Sequence, residues 1–431
     1  METPTWKSKI SWALYDWANS AYATTVMAAL FPALYGTFWG AGIAKDQTTL
    51  ELAWAGGLAS FAVALLGPFL GGIADRCRMK KPFLACFALI SIIFTLLLAF
   101  SGAEPRFMAL GAFFLSLMCF TAANIFYDSL LVDVAGEQEL DFVSSLGFGL
   151  GYFGGGLLFA LNLVIITNPE LVGLENSLAA TKVSIASVAV WWFVFSLPLF
   201  FFVKEREVAN PLPLLQAAAS GFQDLRRTIA KIRAHRTVLL FLLSYFFYID
   251  GVNSVMKTAV KFGSDLGFGA DVLMKALLAV QIIGFISTLG FGVLSRYIGA
   301  KPILLFCIFG YCLLSVFTLQ VTNERGIYIF AGGIGFFQGA LQSLSRSVFA
   351  SLVPPENAGE FFGIYNLLGK FSSILGPILI TVSTLSLQWM NMDSEIIQRV
   401  VIISLLPLFL IGGMTMYFLK LDKHQPLVNA V

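Results

Sequence analysis

Two ionisable side chains fall inside stretches of sequence that are otherwise apolar. Asp250 and Lys370 each lie about a dozen residues into such a stretch, which is ~18 Å along a helix and close to the middle of a bilayer. An unpaired charge at that depth costs roughly 3 to 15 kcal/mol, so each side chain needs a partner or a function. A carboxylate that meets an ammonium group in one state and a proton in another could couple proton movement to a conformational change. The alternative is a static buried ion pair between the two residues.

Three more charged residues are candidates for a polar cavity. Asp16 lies about one to two turns into the first apolar stretch, where it could bind a proton or a cation, or pair with Lys7, Lys9 or a neighbouring helix. Asp128 and Arg346 occupy nearly equivalent places in two later apolar stretches. An acid and a base facing one cavity suit the two charges of a zwitterion, and they equally suit a salt bridge that closes the cavity.

A further group of charged residues belongs to a short polar turn. Gly72, Asp75, Arg76 and Lys81 lie in the sequence Gly-Ile-Ala-Asp-Arg-Cys-Arg-Met-Lys-Lys. We expect the Asp75 carboxylate to lie near Gly359, where a later helix begins. The positive end of a helix dipole stabilises a carboxylate by about 0.3–1 kcal/mol, or up to ~2 kcal/mol when it is partly buried. This contact would close the cytosolic side of a gate; alternatively, the charged residues serve only to fix the topology.

The same turn recurs in the second half of the sequence, which indicates an internal duplication. Glycine, arginine, lysine and proline reappear 220 positions later: Gly72 as Gly292, Arg76 as Arg296, Lys81 as Lys301 and Pro82 as Pro302. Arg296 is therefore a candidate gate residue as well. Ser295 stands where the first copy has Asp75, so we expect the gate to be asymmetric.

Composition places the chain in the membrane. Its 431 residues are 58% hydrophobic and 12% charged, with a mean hydropathy of +0.83, which is too apolar for a soluble protein of this size. We predict an all-α integral membrane fold of twelve transmembrane helices in two pseudo-symmetric six-helix bundles, the organisation of a transporter that rocks about a shared site. The predicted spans 1 to 12 are 11–38, 52–74, 83–102, 107–132, 142–167, 182–203, 237–261, 271–294, 302–321, 327–351, 360–385 and 397–419.

Polar side chains are concentrated in spans 1, 4, 7 and 10, at spacings of three or four residues, so each set follows one face of its helix. Lipid cannot satisfy such stripes, and we expect them to line a watered cavity. The candidates for this cavity are Asn19, Tyr22, Asn124, Asp128, Asn253, Gln338, Gln342 and Arg346. Asp250, Lys370 and Asp16 are the candidates for coupling. Spans 2, 5, 8 and 11 are rich in glycine, which lets helix backbones approach closely.

The chain is expected to form two bundles, residues 1–203 and 237–431, joined by a cytosolic linker at 204–236. Apolar and basic residues alternate at helical spacing in the linker, which predicts an amphipathic helix at the membrane surface. Most Lys and Arg residues fall on one side if both termini are cytosolic, and this bias sets the orientation. Short loops and the lack of a recognised targeting signal favour a bacterial inner membrane over a vacuole.

The sequence contains no recognised enzyme, cofactor or metal motif. It lacks a phosphate-binding Gly-x-x-x-x-Gly-Lys-Ser/Thr loop, a nucleophile elbow and metal-ligand spacing, so we expect no catalysis, no cofactor and no metal. The five cysteines show no paired spacing. A net charge of +2 without a basic stripe argues against nucleic acid as a partner.

The chain resembles the major facilitator superfamily along its whole length. The run from Gly72 to Lys81 is similar to the loop signature of that superfamily, glycine–x–x–x–aspartate–arginine followed by basic residues. One branch is similar in further motifs: Trp12-Ala-Leu-Tyr15-Asp16-Trp17-Ala-Asn19, Asp250-Gly-Val-Asn253, Ser345-Arg346-Ser347 and Gly369-Lys370. That branch contains the autophagy-related vacuolar amino-acid effluxers of fungi and their bacterial relatives. The resemblance implies a twelve-helix alternating-access transporter and the export or exchange of amino acids.

One departure from the superfamily pattern concerns the partner of the polar turn. The end of span 4 offers Asp128 and Asp133 but no arginine near Asp75, so we expect Arg76 or Arg78 to pair with Asp133. The resulting hypothesis is a monomeric secondary transporter for a small organic solute, coupled to protons. The alternatives are an exporter of a larger amphiphile, such as a drug or a metal-chelating metabolite, and a lipid translocase or non-transporting sensor with the same fold.

Overall fold

The structure, a computed structural model, describes residues 4–102, 105–208, 210–372, 374–393, 397 and 399–420. These residues form helices and short connections, with no strand among them. The helices that correspond to the predicted spans 1 to 10 are Trp6–Trp39, Lys45–Cys77, Lys80–Phe100, Arg106–Val134, Leu140–Thr167, Ser177–Phe202, Arg236–Asp265, Ala270–Ile298, Ala300–Phe317 and Glu324–Leu352.

Span 11 is broken and span 12 is short. Span 11 runs over Pro355–Trp389 and contains two α-helices, which we call span 11a (Ala358–Phe371) and span 11b (Leu375–Trp389). Span 12 covers Ile403–Phe418. Among the described residues, eleven helices are long and apolar enough to cross a bilayer, and span 12 adds a shorter apolar helix. The prediction of an all-α membrane fold is therefore confirmed.

Span 1 departs from a regular α-helix beyond its polar stripe. It begins at an N-cap, Thr5, whose hydroxyl accepts a hydrogen bond from the backbone N–H of Ser8 at 3.3 Å. It then widens into π-helical turns at Tyr22–Leu30 and Tyr35–Trp39. π-Helical turns are rare and occur frequently at functional sites. The first of these wider turns begins at Tyr22, one of the residues predicted to line the cavity.

Residues with the most mutual contacts group into two compact units. The first comprises residues 1–136, 150–225 and 355–364, and the second comprises residues 137–149, 226–354 and 365–431. Each unit therefore includes a short segment from the opposite half of the sequence. The first contains the start of span 11, and the second contains the start of span 5. The predicted division into bundles at residues 203 and 237 stays a prediction.

Within the first unit, glycines bring the end of span 2 to the start of span 11a. A Cβ atom on Gly71 would overlap the backbone carbonyl of Gly359. A Cβ atom on Gly363 would lie 2.5 Å from the Cα of Pro68. The two backbones can approach this closely only because side chains are absent at these positions. This is the close approach that the glycine content of spans 2 and 11 leads us to expect.

The predicted helix of the linker is present at Leu214–Ala234. Ala217, Thr228 and Ile232 are buried along it, whereas Leu215 and Ile229 are exposed. The amphipathic pattern also rests on Phe222, Leu225, Arg227 and Lys231, whose side chains lie outside the described part of the structure. Its placement at the membrane surface stays a prediction.

Candidate functional site

The Asp75 carboxylate caps the start of span 11a. Its Oδ1 accepts a hydrogen bond from the backbone N–H of Gly359 and its Oδ2 accepts one from that of Glu360, both at 2.9 Å. The Asp75 side chain is only 2% exposed. The first N–H groups of a helix have no partner within the helix and carry its positive dipole end, so a carboxylate is stabilised there. The contact expected from the sequence is present, and its role as a gate stays a prediction.

Lys80 compensates the charge of Asp75 and of a second buried carboxylate. Its Nζ lies 3.4 Å from Asp75 Oδ1 and 3.3 Å from Asp133 Oδ2. Arg206 brings a second positive charge to within 3.8 Å of Asp133 Oδ1. Two buried carboxylates tolerate burial only when cations of equal charge lie beside them. We refer to Asp75, Lys80, Asp133 and Arg206 as the Asp75 cluster.

The Asp75 cluster corrects one expectation from the sequence. Asp133 is bound by Lys80 and Arg206, so the expected pairing with Arg76 or Arg78 is wrong. The reason lies in the backbone of the turn. Arg78 has a φ of 56° and ends span 2 in the left-handed conformation, which reverses the chain and brings Lys80, the first residue of span 3, to the carboxylates.

Lys81 lies beside the Asp75 cluster but binds elsewhere. Its Nζ donates hydrogen bonds to the backbone carbonyls of Phe200 at 2.9 Å and Val203 at 2.5 Å, at the end of span 6. Glu205 completes this contact, because its carboxylate accepts hydrogen bonds from the backbone N–H groups of Lys80 and Lys81. A lysine at a helix C-terminus satisfies the last carbonyls and meets the negative end of the dipole. Lys81, predicted as a gate residue, therefore fastens span 6 to the turn.

The second copy of the turn repeats the lysine contact. Lys301 donates hydrogen bonds to the backbone carbonyls of Tyr417 at 2.8 Å and Leu419 at 2.6 Å, where span 12 ends. Arg296, the other predicted gate residue of this copy, lies over the ring of Phe142 with its guanidinium carbon 4.1 Å from the ring centre. The duplication seen in the sequence is thus matched by equivalent lysine contacts in the two halves.

A cavity of about 230 Å³ lies next to the Asp75 cluster. Arg76, a predicted gate residue, lines this cavity. Gly72 lies on the side of span 2 that meets span 11a, where a Cβ atom would be 3.7 Å from Cγ of Glu360. The residues lining the cavity are Ala74, Asp75, Arg76, Arg78, Lys80, Asp133, Glu205, Arg206, Glu207, Val208, Pro355, Glu356 and Asn357.

Within the second unit, Asp250 caps the other half of span 11. Its Oδ2 accepts a hydrogen bond from the backbone N–H of Leu375 at 2.9 Å, and its Oδ1 accepts one from that of Gly376 at 3.0 Å. Ser254, one turn further along span 7, donates its hydroxyl to Asp250 Oδ1 at 3.2 Å. Asp250 is completely buried. A second aspartate therefore binds the N-terminus of a second helical segment.

The expected ion pair between Asp250 and Lys370 is not the arrangement found. Both oxygens of Asp250 are bound by the backbone N–H groups of span 11b. Lys370 is half-buried and precedes the last residue of span 11a. The difference arises because span 11 breaks after Phe371, and the new helix start supplies donors that a continuous helix lacks. A role of either residue in coupling stays a prediction.

Arg346 binds the start of span 5. Its Nε donates to the hydroxyl of Ser144 and its Nη2 to the backbone carbonyl of the same residue, both at 2.9 Å. Its guanidinium carbon lies 4.2 Å from the ring centre of Phe148, and the residue is 2% exposed. One helical position further, the hydroxyl of Ser347 donates to Oδ1 of Asp141 at 2.5 Å. The guanidinium thus ties span 10 to residues 141–148.

Within the first unit, the structure brings several cavity candidates together. The side-chain amide of Asn19 donates to Oδ1 of Asn124 at 2.7 Å, which joins the polar stripes of spans 1 and 4. Asp16 accepts a hydrogen bond from the hydroxyl of Tyr127 at 3.2 Å, so a neighbouring helix supplies a partner. Tyr22 is fully buried, and its ring packs against those of Phe120 and Trp192. The two asparagines face one another, as a shared polar face requires.

The remaining cavity candidates lie at three places in the helices. Asp128 and Asn253 are half-buried on spans 4 and 7. Gln342 is half-buried on span 10, and Gln338 is buried one turn before it. Oε1 of Gln338 accepts no hydrogen bond from the described residues, which makes it an available acceptor in span 10. A shared cavity formed by all eight candidates stays a prediction.

Sequence reasoning missed several residues of these contacts. Lys80 belongs to the recognised basic run, but nothing in the run distinguishes it from its neighbours. Glu205 and Arg206 follow the end of span 6, where charged residues are common for reasons of topology alone. Ser144 carries no charge and lies in an apolar run. The backbone donors of Leu375 and Gly376 have no side-chain signal at all.

A family model described as "Vacuole effluxer Atg22 like" matches residues 44–426. This match covers most of the sequence, including the Asp75 turn and both halves of span 11. The chain belongs to the Atg22-like family. It is 37% identical over 379 residues to an uncharacterised MFS-type transporter, YxiO of Bacillus subtilis, covering 88% of each chain. It is 24% identical over 418 residues to autophagy-related protein 22-1 of Aspergillus niger, covering 76% of this chain and 67% of the fungal protein.

Solved structures place this Atg22-like protein in the major facilitator fold. The proton:xylose symporter XylE superimposes with a TM-score of 0.72 at 13% identity, covering 96% of this chain and 95% of XylE. The human organic anion transporter MFSD10 superimposes with a TM-score of 0.69 at 16% identity, covering 95% and 99% of the two chains. At these identities the likeness concerns the fold alone. Together with the family match, it identifies a transporter of the major facilitator superfamily that is not an enzyme.

Proposed function

We propose that this Atg22-like protein is a secondary active transporter that moves a small organic solute by alternating access. The observation that carries the proposal is the cap that Asp75 forms on span 11a. It joins the end of span 2, in the first half of the sequence, to the start of span 11, in the second half. A protein that opens its site to one side at a time needs such a closure, and the closure must be reversible.

The chemistry of the Asp75 cluster supports a reversible closure. Hydrogen bonds to a charged group contribute about 1.5–3 kcal/mol each, which is enough to hold a closed state and small enough to break in a transport cycle. Gly71 and Gly359 meet through their backbones, without side chains that would interlock. Lys80 stays paired with Asp75 and Asp133 when the cap opens, so that opening leaves no buried carboxylate without a cation.

Amino acids are the first candidates for the solute. The family description names a vacuole effluxer, which favours export of a small metabolite. The polar stripes contain acids, such as Asp16 and Asp128, and a base, Arg346. The ammonium group and the carboxylate of an amino acid would each need an opposite charge, and these side chains supply both signs.

Protons are the proposed coupling ion, with Asp250 and Asp16 as the acids. Both carboxylates are buried in apolar helices; Asp250 accepts backbone N–H groups on its two oxygens, and Asp16 accepts the hydroxyl of Tyr127 on Oδ2. Protonation would weaken those bonds and favour a second conformation.

We further propose a bacterial inner membrane as the location, in line with the Bacillus relative, with both termini in the cytosol and the monomer as the working unit.

Transport by the purified protein in liposomes tests the proposal. Uptake of individual radiolabelled amino acids is measured with an imposed pH gradient, without a gradient, and after a protonophore has dissipated it. The proposal predicts uptake of at least one amino acid that rises with the gradient. Accumulation of none of them, with the protein shown to be folded and inserted, would exclude amino acids as the solutes. Accumulation that is the same with and without the pH gradient would exclude protons as the coupling ion.

A further inference from the structure

The break in span 11 leaves backbone N–H groups without hydrogen-bond partners in their own helix, at a depth where lipid cannot supply them. Span 11a ends at Phe371 and span 11b begins at Leu375, so the first N–H groups of span 11b have no partner within a continuous helix. Each unsatisfied backbone group costs several kcal/mol where water is excluded, and a broken membrane helix survives only if another element satisfies it. The residue at the N-cap of span 11b is Ile374, which has no side-chain acceptor.

Asp250, which lies on another helix, accepts hydrogen bonds from these N–H groups. Its two oxygens accept the N–H groups of Leu375 and Gly376, so span 7 supplies the cap that Ile374 lacks. Gly376 leaves room for this contact. A Cβ atom there would overlap the side chain of Ser254 and lie 2.8 Å from Asp250 Oδ1. We refer to this contact of Asp250 with Leu375 and Gly376, at the break in span 11, as the joint.

Few charges face this joint. Span 11b, from Leu375 to Trp389, contains no ionisable side chain, and neither does the run Leu406–Met416 of span 12, whose Phe409 packs against Gly251. Along spans 7 and 11a, the basic residues nearest in sequence to Asp250 and to Leu375 are Lys257 and Lys370. Asp250 is therefore the acid whose charge acts directly on the start of span 11b.

We propose that Asp250 is a positioning residue that fixes span 11b to span 7, so that loss of its negative charge releases the segment to move. The inference rests on the proposed transport function for its purpose, but the joint itself is independent of it. An ionised carboxylate satisfies two adjacent N–H groups and the positive dipole end together. A neutral side chain loses the attraction of the dipole, and in a protonated carboxyl one of the two oxygens carries a proton and is a weaker acceptor. Asp250 would thus convert a change of charge into a change in the order of residues 374–378.

Hydrogen–deuterium exchange of the intact protein in lipid nanodiscs tests the joint. The variants are Asp250→Ala and Asp250→Asn, with Asp271→Asn as the matched control at a side chain that is 71% exposed. A lost cap shifts local opening by about 2- to 30-fold, which corresponds to the 0.5–2 kcal/mol typical of helix caps. We expect exchange at Leu375 and Gly376 to accelerate by that factor in Asp250→Ala, and by less in Asp250→Asn, whose amide oxygen retains one acceptor.

The outcomes separate this inference from the proposed function. Unchanged exchange at Leu375 and Gly376 in Asp250→Ala would overturn it. Equal acceleration over spans 11a, 11b and 12 would also overturn it, because Asp250 would then stabilise the whole unit and not the joint. A graded, local acceleration would support it even if no amino acid is transported. In that case the proposed solute would be wrong and the joint would stand.

Discussion

Asp75 and Gly359 lie 284 positions apart in the sequence, yet the carboxylate of the first accepts a hydrogen bond from the backbone N–H of the second at 2.9 Å. A contact between such distant positions must be built by the fold, because no local element can form it. It uses an ionised side chain on one helix and the dipole of another, and it requires glycine on both sides. These features make it specific in geometry.

Removal of the Asp75 charge should impair transport more than stability. In Asp75→Asn one amide oxygen still accepts an N–H group, while the attraction of the dipole and of Lys80 is lost. We expect the uptake rate per folded molecule to fall at least about tenfold, equivalent to ~1.4 kcal/mol. The measurement is initial uptake in liposomes. Asp271→Asn, the same change at an exposed site, should transport normally. Normal uptake in Asp75→Asn would contradict the gate.

The balance of charge in the Asp75 cluster predicts a rescue. Lys80→Met leaves Asp75 and Asp133 as neighbouring buried carboxylates, and breaking a buried pair in this way costs about 3–5 kcal/mol. The free energy of unfolding in mixed micelles should fall by most of that amount. Removing one of the two acids should restore a large part of it, so Lys80→Met with Asp133→Asn should be more stable than Lys80→Met alone. Additive losses would show that the charges do not interact.

Close backbone contact predicts a sharp difference between two glycines of span 2. A Cβ atom on Gly71 would overlap the carbonyl of Gly359, whereas one on Gly57 would meet no atom within 4 Å. We expect Gly71→Ala to lower uptake at least about tenfold by holding the helices apart, and Gly57→Ala to be near neutral. Both variants gain the same methyl group, so a difference isolates the contact. Equal uptake in the two would show that span 2 need not approach Gly359.

The paired lysine contacts predict matched losses of stability. Lys81→Met and Lys301→Met each remove the donor that binds the last carbonyls of a span. Each should lower the free energy of unfolding by about 1–3 kcal/mol, because Val203 and Leu419, whose carbonyls lose their donor, are buried. Lys275→Met, at a side chain 67% exposed, should change it little. A loss of transport in Lys81→Met without a loss of stability would show that Lys81 acts in the gate and not only in stabilising span 6.

If Asp250 couples proton movement to transport, its substitution should abolish gradient-driven uptake and leave solute binding intact. Asp250→Asn cannot exchange a proton, so it should lose uptake driven by a pH gradient. Exchange of labelled for unlabelled solute across the membrane needs no net proton movement and should persist. Counterflow in liposomes measures the second process directly. If Asp250→Asn still concentrates solute when a gradient is imposed, Asp250 is not the coupling residue.

Much of the fold could be predicted because it follows from solubility in lipid. Apolar runs of sufficient length define the spans, and the recurrence of Gly72 as Gly292 and of Lys81 as Lys301 defines the duplication. The Asp75 contact was also predictable, because an acid in a tight turn near a helix start has few better partners. The pairing of Asn19 with Asn124 follows from two polar faces that lipid cannot satisfy.

The parts that could not be predicted depend on the backbone. Lys80 reaches Asp133 because Arg78 adopts a positive φ, and a basic run does not reveal which residue will do so. Asp250 binds span 11b instead of pairing with Lys370 because span 11 breaks. Pro377 in the first turn of span 11b is compatible with a helix start, but a proline does not show which side chain will cap that turn. Every residue except proline has a backbone N–H group, so residue types do not show which of these groups will bind a carboxylate from another helix. A search for pairs of opposite charges therefore cannot find such a cap.

Reversible cross-linking tests most directly whether the contact between span 2 and span 11a opens during transport. Gly72→Cys and Glu360→Cys are combined in a variant without the native cysteines; a Cβ atom on Gly72 would lie 3.7 Å from Cγ of Glu360. Uptake into liposomes is measured after oxidation and again after reduction of the same sample. We predict that the oxidised protein does not transport and that reduction restores uptake. Undiminished uptake by the fully cross-linked protein would contradict the account.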